Sequence, residues 1–167
     1  MCIDRELKMV DKESNCFPDS YPKDLLDCII KDGAGQNTYE DVYRISDTGL
    51  CHRDAFICSA LQNEVYAVNN RDSYLAQREC ECDIDDWSTS CWQTLSKAKR
   101  VYNLKEKKGH SPAILKGSIL PKTGYSIVTN ERYSVRDNPL SRRKGHVDWW
   151  IFKDVDASEN FSIMEGI

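Results

Sequence analysis

The 167-residue chain lacks any run approaching the ~20 consecutive apolar residues that a membrane-spanning helix needs, so no membrane span is expected. It also lacks a basic excess. Lys and Arg number 23 against 27 Asp and Glu, a net charge of −4, which argues against a general nucleic-acid binder. The opening residues Met1-Cys2-Ile3-Asp4-Arg5-Glu6 lack the apolar core of a signal peptide, so export would need a leader already removed or a route that reads none. No internal repeat, low-complexity tract or linker interrupts the chain, and one domain is expected over residues 1–167.

Cysteine, by contrast, is plentiful: Cys2, Cys16, Cys28, Cys51, Cys58, Cys80, Cys82 and Cys91. An even count at this density suits an oxidising compartment such as a periplasm and permits a full disulfide set, with at least one thiol left free in the catalytic reading developed below. Zinc is not expected. Cys80-Glu81-Cys82 with Cys91 has one intervening residue instead of two to four, and no second paired ligand set follows. No cofactor is implied.

The stretch richest in chemistry is Gly145-His146-Val147-Asp148-Trp149-Trp150-Ile151-Phe152. Alternation places His146, Asp148, Trp150 and Phe152 on one face of a strand and Val147, Trp149 and Ile151 on the other, so the strand is expected to be buried. An imidazole beside a carboxylate there reads either as a general base on a rigid element or as a hydrogen-bonded core histidine. The matching nucleophile comes from residues 46–61. Ser46 and Asp47 resemble helix N-caps, which would put Cys51 in a first turn where backbone N–H groups lower a thiol's pKa. Cys58, two turns further on, is expected to be an inert packing residue or a disulfide partner. His52 adjoins Cys51 in sequence but would face away from it on a helix.

Helices are expected first and strands later. Ser20-Tyr21-Pro22 opens a helix carrying Leu25, Leu26, Ile29 and Ile30 and closed by Gly33. A second spans Asn37 to Ile45, the Cys51 segment forms a third, and Trp87, Cys91, Leu95, Ala98 and Tyr102 mark a fourth. Ala113 to Leu120, Tyr125 to Thr129, Val147 to Phe152 and Phe161 to Met164 read as strands. The fold class is α+β, with N-terminal helices packed on a C-terminal antiparallel sheet.

The order of these motifs resembles the papain-like (NlpC-type) cell-wall amidases, and especially the peptidoglycan amidase effectors of bacterial type VI secretion systems. Lys122-Thr123-Gly124-Tyr125-Ser126-Ile127-Val128 followed by Gly145-His146-Val147-Asp148-Trp149-Trp150 resembles that family's paired strands. Cys51, Arg53, Ser59 and Leu61 imitate its cysteine motif loosely, with the arginine at plus two instead of plus three. The resemblance implies a secreted antibacterial cysteine hydrolase. Cys51 would attack a peptide bond of the peptidoglycan stem, His146 would be the base, and Asp148 or Asp156 would orient the ring. Arg142, Arg143 and Lys144 would hold the stem peptide's carboxylates, or serve only as a solvated turn. Partners would be the stem peptide and an immunity protein.

Two other classes stay open. A disulfide-rich binding or toxin domain would use every cysteine structurally. It would be phospholipase A2-like at most, since Ala55 and Phe56 stand where that family's His-Asp dyad falls. A cysteine protease or glutamine deamidase acting on host protein would share the triad.

Overall fold

The computed structural model describes residues 16–61, 84–134 and 143–166. It shows an α+β fold built on one six-stranded antiparallel sheet in the order β4-β5-β2-β1-β3-β6. The strands are β1 (Tyr39–Ser46), β2 (Thr89–Trp92), β3 (Ala113–Ile119), β4 (Gly124–Val128), β5 (His146–Ile151) and β6 (Phe161–Ile163). Helices are α1 (Leu25–Lys31), α2 (Leu95–Lys107) and α3 (Thr129–Ser134). Among the described residues no helix is long and apolar enough to cross a membrane.

One of the sheet's two central strands comes from the front half of the chain. Residues 39–45, expected as a helix, form the central strand β1. The reason is a bulge. Asp41 sits at φ 52, and the pairing with β3 shifts register between Tyr39 and Val42. One extra residue there turns the two-residue period of a strand into a spacing of three, which imitates a helix in sequence. Beyond the bulge, Val42, Ile45 and Ser46 are all buried, and a strand covered on both faces shows no polar alternation to betray it.

The helix expected around Cys51 is also absent. After β1 the chain turns through Gly49, at φ 74, and a single 3₁₀ turn spans Arg53–Phe56. Ile57 is extended at its end, and helical residues resume only at 59–61. The fourth expected helix begins late: Thr89–Trp92 is a strand, and α2 starts at Leu95 after the extended Thr94. The four strands expected in the second half are all present, as is the helix carrying Leu25 and Ile29.

Two apolar layers pack on the sheet. One face carries Val42, Cys91, Leu115, Val147 and Trp149 beneath Phe56 and Phe161. On the other, α2 lays Leu95, Ala98, Val101 and Tyr102, spaced three and four apart, over Ile45 and Ile114. A further cluster joins Leu25 and Ile29 of α1 to Trp150 and Ile127. Trp149 and Trp150 are fully buried, so both are core residues and neither lines a groove.

Candidate functional site: a cleft between β1 and β2

Strands β1 and β2 share one residue pair, Tyr43 with Trp92, and separate beyond it. Arg44 fills one side of the opening. Its Nε donates to Ala55 O at 2.8 Å and an Nη to Ser90 O at 2.9 Å, tying the Arg53–Phe56 turn to the inner edge of β2. Thr89 Oγ1 adds a bond to Phe56 O at 2.6 Å. The other side is a cavity of about 200 Å³ lined by Arg44, Ile45, Asp47, Ser59, Ser90, Trp92, Val101, Lys105 and His146. Lys105 reaches Asp47 at 2.6 Å across its rim.

His146, 4% exposed, opens β5 at the foot of this cavity, with its ring edge-on to Trp92 at 4.7 Å between centroids. Its Nδ1 lies 2.5 Å from Thr129 Oγ1, and Thr129 Oγ1 donates to Asp148 Oδ2 at 2.9 Å. Since the hydroxyl has one proton and gives it to the carboxylate, its oxygen accepts from His146 Nδ1–H. Nε2 is then the acceptor nitrogen of a neutral imidazole. Burial, followed by the positive field of Arg143, pushes the His146 pKa down to about 3.

Asp148 is completely buried beneath the ring, with Oδ1 3.6 Å from His146 Nδ1 and accepting from Ser88 Oγ at 3.0 Å. Burial raises its pKa, while Arg132 opposes the shift. The sequence expectation that Asp148 accompanies His146 is met in space, with Thr129 as an unforeseen bridge.

Cys51 does not join them. Its sulfur lies 3.4 Å from the carbonyl of Phe161 on β6 and 3.8 Å from that of Ser158, and its side chain packs against the Val147 and Trp149 face of the sheet. His146 projects from the opposite face of β5. Three strands separate β5 from β6, which at ordinary strand spacing is about 19 Å. Cys51 also precedes an extended residue, His52, instead of opening a helix, so no helix dipole acts on it. Burial and then Asp156 raise its pKa, the reverse of activation. Asp156 belongs to this second place. It caps the Ala157–Asn160 turn by accepting from Ser158 N at 3.0 Å and Ser158 Oγ at 2.6 Å, so it does not orient His146.

Of the basic run, Arg143 approaches Asp85 Oδ2 at 3.8 Å, Lys144 is exposed, and Arg142 lies outside the described residues. Cys2, Cys80 and Cys82 also lie outside them. Among the described residues no two cysteines are bonded to each other; Cys28, Cys51, Cys58 and Cys91 are thiols.

The thiol that precedes helical residues is Cys58. It is fully buried, bonds with the Tyr21 hydroxyl and receives the backbone N–H groups of Ala60 and Leu61, though burial still raises its pKa. The sequence reading missed Arg44, Ser90 and Thr129, and named Ser59 only as part of the Cys51 motif. Ser88-Thr89-Ser90, a hydroxyl triplet beside tryptophans, was the one visible signal.

Comparison with protein-family models, with curated proteins and with solved structures returns no match.

Proposed function

We propose that the chain is an enzyme acting on a phosphate-bearing small molecule held in the β1–β2 cleft, with His146 as the group that carries the proton. The observation behind this reading is the charge of Arg44. Its guanidinium is partly buried, and among the described residues it bonds neutral carbonyls, with no carboxylate within ion-pair distance. A partly buried cation whose hydrogen bonds go to neutral carbonyls favours a closer negative partner than Asp47, and an anionic ligand supplies one.

Phosphate fits better than carboxylate. Arg44 spends Nε and one N–H of Nη1 on the protein, which takes its Nε–Nη2 edge out of two-pronged contact with a planar carboxylate and leaves three N–H donors. A tetrahedral group with several oxygens can be met from separate directions by the remaining Arg44 nitrogen, Lys105 and the hydroxyl residues Ser59 and Ser90. Arg44, Arg132 and Arg143 also disfavour a proton on His146. An anion in the cleft cancels that field, so binding brings the imidazole closer to a working acid or base. The chemistry is hydrolysis or group transfer at the bound phosphate-bearing substrate.

A second reading, the papain-like peptidoglycan amidase, now depends on Cys58 in place of Cys51. The N–H groups of Ala60 and Leu61 at the Cys58 sulfur favour it, because a thiolate and an oxyanion need such donors. Secretion, an immunity protein and stem-peptide recognition by the basic run belong to this reading alone.

The test is a turnover screen over phosphomonoesters, phosphodiesters, nucleotides and purified sacculi with the native chain, His146→Gln, Cys51→Ala and Cys58→Ala. A phosphate-bearing substrate turned over by the native chain and both cysteine variants, and slowed about 100-fold or more by His146→Gln, supports the first reading. Sacculus cleavage lost in Cys58→Ala supports the second. Turnover that needs Cys51 and survives His146→Gln contradicts both.

A further inference from the structure

Beneath the cleft a line of charges runs from the surface to the imidazole. Arg143, the residue before Lys144 and Gly145, reaches Asp85 Oδ2 at 3.8 Å. The other oxygen of Asp85 pairs closely with Arg132 Nη2. That same Nη2 lies 3.8 Å from Asp148 Oδ2, while Arg132 Nε lies 3.9 Å from Asp32 Oδ2. Arg132 is 1% exposed, its guanidinium is 6.0 Å from the Trp150 ring, and it projects from α3, the helix that begins with Thr129. One buried guanidinium is thus shared by carboxylates from the end of α1, from the Ile84–Trp87 turn and from β5.

We infer that Arg132 is a positioning residue that keeps Asp148 ionised beside His146, and that Asp85 competes with Asp148 for it. Among the described residues the groups acting on Asp148 are Arg132 and Thr129 of α3, Asp85 and Ser88 of the segment before β2, Cys91 of β2, and His146 on its own strand. Arg44 of β1 and Arg143 complete the charges that act on His146. When Asp148 is ionised it accepts from Thr129, Thr129 accepts from Nδ1–H, and Nε2 is left as acceptor toward the cleft. When Asp148 takes a proton, the carboxyl becomes a donor, the hydroxyl turns round, and the imidazole loses the partner that fixed its tautomer. Arg132 acts through Asp148 and Thr129 and touches no substrate. Arg143 gives this line an outer end, 3.8 Å from Asp85 Oδ2.

The inference rests on the proposed function only for the use made of His146; the charge state of Asp148 is measured without substrate, so the two can fail separately. The experiment follows the Asp148 carboxyl carbon and the His146 ring nitrogens by NMR across pH in the full chain. Arg132→Met is expected to raise the Asp148 midpoint by about one unit or more and to change the His146 nitrogen shifts together with it. Asp85→Asn, at a partly exposed position, is expected to move the same midpoint down, because it removes a competitor and a negative charge. This second variant decides the matter if Arg132→Met does not fold. A purely structural Arg132 predicts no midpoint change of opposite sign in the two variants. An Asp148 midpoint unmoved by Asp85→Asn, or moved up by it, overturns the inference.

Discussion

Thr129 Oγ1 sits 2.5 Å from His146 Nδ1 and donates its own hydrogen bond to Asp148, so a single hydroxyl fixes which ring nitrogen is protonated. Strand β4 ends where α3 begins with Thr129, and β4 pairs along β5, so the relay is set by sheet register. Replacing Thr129 with Val keeps the shape and removes the hydroxyl, leaving an imidazole N–H and a buried carboxylate oxygen unsatisfied. The expected loss is about 1–3 kcal/mol in denaturant unfolding, with a mixed His146 tautomer in ring-nitrogen spectra.

The buried imidazole makes stability depend on pH in a defined direction. His146 binds its proton near pH 6.5 when unfolded and near pH 3 when folded, so its contribution is complete above 6.5 and is lost as pH falls toward 3. Asp148 works the other way, since a carboxyl with a raised pKa gains a proton sooner in the folded state. The two are separated by comparison with His146→Gln. Between pH 7 and pH 5 the native chain is expected to lose about 2 kcal/mol more than the variant. Equal losses of unfolding free energy between pH 7 and pH 5 for the native chain and the variant, measured by urea titration, would contradict the burial of His146.

Cys51→Ala is expected to leave turnover unchanged and to cost about 1 kcal/mol, the effect of trimming a partly buried side chain. Its raised pKa predicts slow alkylation by iodoacetamide at neutral pH. Rapid, selective modification of Cys51 with loss of activity would restore the thiol to the chemistry.

Gly117 of β3 admits β6 closely: a Cβ there would fall on the Asn160 carbonyl and the Phe161 ring. Gly117→Ala is therefore expected to cost about 2 kcal/mol or more and to loosen the β3–β6 pair first. Hydrogen exchange at Leu115 to Gly117 reads this directly, while the His146 signals should stay in place.

The later strands were legible in sequence because they are short, largely apolar runs bounded by turn signals, as in Ala113 to Leu120 and Val147 to Phe152. β1 was not, because the bulge at Asp41 gave a strand the spacing of a helix. β2 was hidden for a related reason. Trp87, Cys91 and Leu95 are spaced like one helical stripe, yet Cys91 is buried in a strand and only Leu95 belongs to α2. The pairing of His146 with Asp148 could be read from one strand's alternation. The distance of Cys51 from both could not, since it depends on strand order. Arg44 escaped notice because its role arises where two strands part, a feature with no local signature.

The account stands on the cleft between β1 and β2 as an anion site beside His146, and a titration of the native chain with inorganic pyrophosphate, followed by amide and side-chain NMR, tests it most directly. Saturable shifts are expected at Arg44, Ser90, Trp92 and His146, with His146 becoming easier to protonate and with Arg44→Lys weakening binding about tenfold. Shifts confined to Cys51, Asp156 and Phe161, or no saturable change at the cleft, would contradict it.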